Sequence, residues 1–131
     1  MTRRSKWKCA VALGSLAFAL SLPALATTKE DFELRSGADL VALCSTDTSD
    51  PLYTAAIQMC QGFGVGVYRT ALALTAKDDP PLFCPPKEGL TRNAAVQSFL
   101  TWAAGNKEHA GEPALDFIGR FFMETLPCKS K

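Results

Sequence analysis

The chain has 131 residues and a nearly balanced charge, with 14 lysines and arginines against 13 aspartates and glutamates. A chain of this length is expected to form one folded domain. Beyond the first eight residues no segment is strongly basic, so the composition argues against nucleic acid and anionic lipid as binding partners.

The first 26 residues show the three-part pattern of a secretory signal peptide. Basic residues come first, an apolar run covers residues 9–22, and Ala24-Leu25-Ala26 forms an A-x-A cleavage pattern. The run is shorter than the roughly 20 apolar residues of a membrane-spanning helix, which disfavours an uncleaved anchor. The sequence therefore predicts export by the Sec route, cleavage after Ala26, and a periplasmic protein without a membrane segment. Cleavage removes four of the 14 basic residues and leaves 10 against 13 acidic ones, a net charge of −3.

The segment after the cleavage site begins with a polar lead and a short helix. Residues 27–35 are mostly polar and are predicted to form a lead that is either loose or a short turn. Ser36 and Asp39 then have the spacing of a capping box, in which each side chain bonds the backbone N–H of the other residue. A first helix is predicted from there to Cys44, followed by a turn over residues 45–50.

A long second helix is predicted from Pro51, because proline suits the first turn of a helix. Its apolar residues recur at the helical period of a stripe that packs on a core: Ile57, Cys60, Phe63, Val67, Ala71 and Leu74. Gly62 and Gly66 lie four residues apart and share a face. Glycine in a helix costs about 1 kcal/mol relative to alanine, so we expect these two glycines to let another helix approach closely.

The segment 77–89 is rich in proline and is predicted to be a stiff loop. Thr91 can cap a third helix, whose apolar side consists of Ala95, Val96, Phe99, Leu100, Trp102 and Ala103. A polar turn over 105–112 leads to a fourth helix that opens at Pro113, with the apolar set Leu115, Ile118, Phe121, Phe122 and Leu126. The sequence thus predicts an all-α fold, a compact bundle of about four helices over residues 36–131.

Four cysteines follow the predicted cleavage site, and an even number in a small exported domain predicts two disulfides. A zinc site usually brings cysteines in pairs two to four residues apart, whereas the successive spacings here are 16, 24 and 44 residues. A nucleophilic cysteine would need a histidine partner. The only histidine is His109, which lies in the predicted polar turn, so a nucleophilic cysteine is disfavoured. Short connections make consecutive helices antiparallel neighbours, which favours the pairs Cys44–Cys60 and Cys84–Cys128.

Catalytic motifs are absent from the sequence, which has no H-E-x-x-H, no G-x-S-x-G and no phosphate-binding loop. Asp78 and Asp79 are adjacent loop residues that are expected to face water. Arg120 and Glu124 have the spacing of an i,i+4 ion pair on the solvent side of the fourth helix. We therefore predict a binding or protective module that uses no cofactor and no metal, and not an enzyme.

Four short motifs, in this order, resemble the Rap/Tai family of immunity proteins: SGADLVALC at 36–44, CQGFGVGV at 60–67, CPP at 84–86 and LPC at 126–128. The resemblance implies a periplasmic protein that neutralises a peptidoglycan-cleaving cysteine amidase, a toxin injected by type VI secretion. Such an immunity protein docks on the toxin and occludes its active-site cleft. Some members of the family act as dimers, so the resemblance also leaves a homodimer open.

The resemblance further implies that two loops contact the toxin. They are the stiff loop over 78–89 and the polar turn over 105–112. The candidate contact residues are Asp78, Asp79, Leu82, Phe83, Lys87 and Glu88 on the loop, and Asn106, Lys107, Glu108 and His109 on the turn.

Two other classes of function are compatible with the sequence. A periplasmic stress protein of the acid-chaperone kind releases apolar surface when its carboxylates are protonated at low pH. The 13 carboxylates fit that mechanism, although two disulfides would oppose opening. An accessory subunit of an envelope complex would use the proline-rich loop in the same way as a toxin-binding protein.

Overall fold

The computed structural model describes residues 26–75 and 79–129 of the chain. Within these residues there are four α-helices and two short 3₁₀-helices: the 3₁₀-helix Lys29–Glu33, α1 (Gly37–Cys44), α2 (Tyr53–Leu74), α3 (Arg92–Gly105), the 3₁₀-helix Lys107–His109 and α4 (Ala114–Thr125). No strand occurs in this described part, and the predicted all-α fold of about four helices is confirmed. The predicted signal peptide lies outside the described residues except for Ala26.

The predicted capping box begins α1. The Asp39 amide N–H donates to Ser36 Oγ at 3.3 Å, and the Ser36 amide N–H donates to Asp39 Oδ2 at 3.1 Å. The start of α2 differs from the prediction by two residues. Asp50 holds the preceding turn by accepting from the amide N–H groups of Leu52 (2.7 Å) and Tyr53 (2.9 Å), so the helix begins at Tyr53 and not at Pro51.

The polar lead over 27–35 packs on the folded domain and contains the 3₁₀-helix Lys29–Glu33, so of the two predicted alternatives it is the short turn and not the loose segment. Thr27 is buried, and its hydroxyl lies 2.5 Å from the Thr46 hydroxyl just beyond α1. Phe32 and Leu34 pack against the core. These two apolar side chains of an otherwise polar segment pack on the domain beside α1, so the lead has a defined position in the fold.

The core is built around α1, which contacts all three other α-helices. Leu40 and Leu43 of α1 and Phe117 of α4 are fully buried. Phe117 was absent from the predicted apolar set of the fourth helix, whereas Leu115 was included and is 58% exposed. Ile118, Phe121 and Phe122 are buried as predicted, and Ala114 and Phe117 complete the buried face of α4 in place of Leu115.

The close approach of two helices occurs at Gly37 and not at the predicted pair of glycines. A Cβ on Gly37 would fall 2.9 Å from the Cβ of Phe117 and would also meet its ring, so only glycine fits where α1 crosses α4. A Cβ on Gly62 or on Gly66 would meet no neighbouring atom of residues 26–75 and 79–129 within 4 Å, and both residues are exposed. Among the described residues, therefore, no helix makes the predicted close approach to Gly62 and Gly66.

Both predicted disulfides are confirmed. Cys44–Cys60 joins the end of α1 to α2 with a Cα–Cα distance of 5.2 Å. Cys84–Cys128 joins the proline-rich loop to the segment after α4 with a Cα–Cα distance of 4.9 Å. Both distances are ordinary for disulfides.

Candidate partner-binding groove

An apolar groove lies between the second half of α2, the proline-rich loop and the start of α4. Its volume is about 700 Å³, and Phe63, Gly66, Val67, Ala71, Leu74, Leu82 and Leu115 are among its lining residues. Leu74, Leu82 and Leu115 are 79%, 66% and 58% exposed. Single exposed leucines are common on protein surfaces. Three exposed leucines that line the same concavity form a contiguous apolar surface, and such a surface is typical of an interaction site.

The groove continues along α4. A second depression of about 370 Å³ shares Val67, Ala71, Leu82 and Leu115 with the first and extends to Met123 and Arg120. Met123 is also largely exposed. We call the two depressions together the α2–α4 groove.

The proline-rich loop is fixed to the domain at the wall of this groove. Phe83 is 3% exposed, and its ring centroid lies 5.3 Å from that of Tyr68 and 5.2 Å from that of Phe122. The Cys84 amide N–H donates to the Leu126 carbonyl at 2.8 Å, next to the disulfide to Cys128. Leu82 is thus held in an exposed position by two anchors that follow it directly.

A polar network borders the α4 end of the groove. Arg120 Nη2 donates to Glu112 Oε1 at 2.9 Å, and Nδ1 of His109 lies 2.7 Å from the same oxygen. The hydrogen bond from Arg120 and then that from His109 lower the pKa of Glu112 from its ordinary value of 4.5. The predicted Arg120–Glu124 pair is present at 4.0 Å, but Glu112 is the closer partner of Arg120. The second oxygen of Glu124 accepts from the Trp102 indole N–H at 2.7 Å.

The polar turn over 105–112 is docked on the first turn of α1. The Gly37 amide N–H donates to the Glu112 carbonyl, and the Ala38 amide N–H donates to the Ala110 carbonyl, both at 2.8 Å. The turn therefore satisfies two N–H groups that a helix start leaves without an intrahelical partner. This places Glu112 at a fixed position beside the groove.

The predicted contact residues have different locations in the structure. Asp79 and Leu82 line the groove, and Lys87 and Glu88 are exposed without lining it. Phe83 forms part of the groove wall but is only 3% exposed, so its ring offers a partner little surface. Asp78 lies outside the described residues.

The four predicted residues of the turn 105–112 do not line the groove. Lys107 and Glu108 are exposed, and the side-chain amide of Asn106 donates to the Trp102 carbonyl at 2.8 Å. His109 reaches the groove only through Glu112. Leu74 and Leu115 have the spacing of an apolar stripe but lie outside its buried part, and the helical period does not distinguish the two. Met123 matches no predicted stripe, so no signal in the sequence assigned it to the groove.

Substitution of Glu112 tests the network. A carboxyl group whose pKa is lower in the folded than in the unfolded protein stabilises the fold above the unfolded pKa, and this stabilisation is lost as pH falls through the folded pKa. We therefore expect Glu112→Gln to be less stable than the parent protein at pH 6 to 7, and the difference to shrink as pH falls below 4.5. Urea denaturation across this range measures the effect. Glu88→Gln, on an exposed loop residue, is the control, and an equal pH-dependent difference in that variant would contradict the assignment.

The described residues contain no group of three or more His, Cys, Asp or Glu side chains that could hold a metal ion. None of the helices over 26–75 and 79–129 combines the length and apolar character needed to cross a membrane.

A small disulfide-linked helical domain with a rigid, exposed apolar groove has the features of a protein-binding module. The sequence model of the Rap1a immunity proteins matches residues 36–128, from the N-cap of α1 to the last disulfide cysteine. The chain therefore belongs to the Rap1a immunity protein family, which agrees with the predicted resemblance. Comparison with curated proteins and with solved structures gives no match. Membership indicates immunity against a secreted effector and implies binding of a protein; immunity proteins of this family are typically not enzymes.

Proposed function

We propose that this chain is a periplasmic immunity protein that binds a peptidoglycan-cleaving cysteine amidase, an effector of type VI secretion, and occludes its active-site cleft. Family membership supports the immunity role. The signal-peptide pattern that ends at Ala26 supports action in the periplasm, where such an effector meets its substrate. The α2–α4 groove is the observation that supports docking of a protein partner.

The groove offers binding free energy at a low entropic cost. Burying one exposed leucine side chain contributes about 1.5–3 kcal/mol, and three such side chains line the groove. Leu82 is held by Phe83 and by the Cys84–Cys128 disulfide, so little loop entropy is lost when a partner docks. The partner is expected to place apolar side chains over α2 and to cover the groove up to the Glu112–Arg120 pair.

Two glycines of α2 provide a matched test of docking. Gly66 lines the groove and Gly62 does not, while both are exposed and a Cβ at either position would meet no neighbouring atom of the described residues. Leucine is preferred to glycine in a helix by roughly 0.8 kcal/mol, so Gly66→Leu and Gly62→Leu should both be at least as stable as the parent. We expect Gly66→Leu to weaken effector binding by about tenfold or more, as is common for a change at the centre of an interface, and Gly62→Leu to bind normally.

The measurement combines rescue and binding. Candidate amidases from neighbouring genes are directed to the periplasm of a sensitive host with the parent protein or with either variant, and affinities are measured on the purified proteins. Rescue by the parent and by Gly62→Leu, but not by Gly66→Leu, supports docking in the groove. Equal rescue by both variants would move the docking surface elsewhere. Absence of any complex between the parent and the candidate amidases would contradict the amidase assignment.

The same pair of variants tests for a homodimer. If two copies of this chain close the groove against each other, Gly66→Leu should dissociate the dimer and Gly62→Leu should not. Sedimentation equilibrium of the three proteins gives the answer. A parent that sediments as a monomer would exclude this arrangement at the concentration used.

A further inference from the structure

A second concavity lies on the other side of α2, between α2, α3 and α4. Its volume is about 210 Å³. Its floor is formed by the Cys44–Cys60 disulfide and by buried or half-buried apolar side chains, namely Tyr68, Val96, Phe99, Ile118, Phe121 and Phe122. The floor is therefore apolar and largely aromatic.

The mouth of this cavity is positively charged. Arg92, the first residue of α3, lines it and forms no ion pair with a carboxylate of the described residues. No aspartate or glutamate of the described part of the chain lines the cavity. The N-terminus of α3 adds the positive end of its helix dipole. Gln61 lines the same mouth, and its side-chain Nε2–H donates to Asn93 Oδ1 at 3.1 Å.

The cavity is distinct from the α2–α4 groove. The stacked rings of Tyr68 and Phe83, with Phe122 at 5.5 Å and 5.2 Å from them, form the wall between the two. Phe122 faces both concavities. A ligand in the cavity would leave the groove open to a protein partner.

We propose that this cavity binds an apolar group that carries a carboxylate. The ring or branched chain fills the aromatic floor, and the carboxylate pairs with Arg92 at the mouth. Apolar cavities of about 150 Å³ bind benzene, so the present volume suits one phenyl ring with one or two further carbons. Two sources supply this chemistry: a free small acid, or the C-terminal residue of a peptide that ends in an apolar side chain.

The experiment titrates the full-length mature protein with three probes and follows amide chemical shifts. The probes are 3-phenylpropionate, its neutral amide, and the tripeptide acetyl-Gly-Gly-Phe with a free carboxylate. An acid of about eleven non-hydrogen atoms is expected to bind with a Kd on the order of 1 mM. The neutral amide should bind about fivefold more weakly, because it lacks the charge that faces Arg92.

Matched variants separate the charge from the shape of the site. Arg92→Gln should weaken binding of the acid about fivefold and leave the neutral amide unchanged. Ala95 lines the cavity and is half-buried, so Ala95→Phe should fill it and abolish binding of all three probes. Arg69→Gln on the exposed side of α2 and Ala104→Phe on the exposed side of α3 are the controls, and both should bind as the parent does.

The outcomes discriminate between the sources and test the site itself. Tighter binding of the tripeptide than of 3-phenylpropionate indicates a peptide C-terminus, and the reverse order indicates a free acid. No shift at about 20 mM probe, equal affinity for acid and amide, or an unchanged Kd in Arg92→Gln would each overturn the proposal. None of these measurements uses an effector, so their failure leaves the proposed immunity function untouched.

Discussion

Replacing Cys84 and Cys128 together with serine is expected to lower the free energy of unfolding by about 4 kcal/mol, because the disulfide closes a loop with a sequence separation of 44 residues. A domain of this size is stable by about 5–15 kcal/mol, so the loss is a large fraction of the total. Urea denaturation at low temperature, where the variant stays folded, measures it.

The same change should also loosen the wall of the α2–α4 groove. Without the disulfide, the loop is held by the buried ring of Phe83 and by the hydrogen bond from the Cys84 position to Leu126. We expect the amide N–H at position 84 to exchange with solvent faster, and effector affinity to fall beyond what the fraction unfolded explains. Local opening of this kind is read directly from native-state hydrogen exchange.

The other disulfide provides the control for this prediction. Replacing Cys44 and Cys60 with serine should cost about 3 kcal/mol, since the sequence separation is only 16 residues. This bond joins α1 to α2 and does not line the groove. Equal loss of protection at position 84 in both double variants, compared where both are folded, would show that the disulfide does not position the loop.

Local signals in the sequence were sufficient for the helices and the disulfides. The capping box at Ser36 and Asp39 depends on contacts three residues apart, and such contacts are fixed by the chain itself. The pairing of Cys44 with Cys60 followed from the antiparallel course of consecutive helices. Each of these inferences needed only neighbouring elements and the short connection between them.

The glycines show why packing could not be predicted in the same way. The spacing of Gly62 and Gly66 places them on one face of α2, but it does not say whether another element lies against that face. Gly37 belongs to no spacing pattern, and its role depends on the approach of Phe117 from a helix that lies far away in the sequence. Tertiary contacts of this kind have no local signature.

Only part of the groove could be predicted, because the sequence does not show which residues of a loop or stripe are buried. Leu82, Asp79 and Phe83 were assigned to a binding loop and all three line the groove, but Leu82 is 66% exposed whereas Phe83 is 3% exposed. Adjacent residues in an extended loop can point to opposite sides, and the sequence does not distinguish them. Leu74 is the last residue of the apolar stripe of α2 and lies beyond the end of the core. It is therefore exposed, although its spacing matches that of the buried residues.

Alanine substitutions at Leu115 and Phe117 separate the core from the groove on one helix. Phe117 is fully buried, with ring centroids of Trp102 and Phe99 at 4.9 Å and 5.8 Å, so Phe117→Ala should lower the free energy of unfolding by about 3–5 kcal/mol. Leu115 is 58% exposed and lines the groove, so Leu115→Ala should change stability by less than about 0.5 kcal/mol.

Binding should follow the opposite order to stability. Leu115→Ala is expected to weaken effector affinity, whereas Phe117→Ala, measured at a temperature where it is folded, should retain most of it because its ring does not line the groove. Urea denaturation and titration with the effector give both quantities on the same preparations. A large loss of stability in Leu115→Ala would restore the sequence prediction that this residue belongs to the core. Normal effector binding by that variant would instead remove the start of α4 from the docking surface, and leave the α2 side of the groove as the part that a partner can cover.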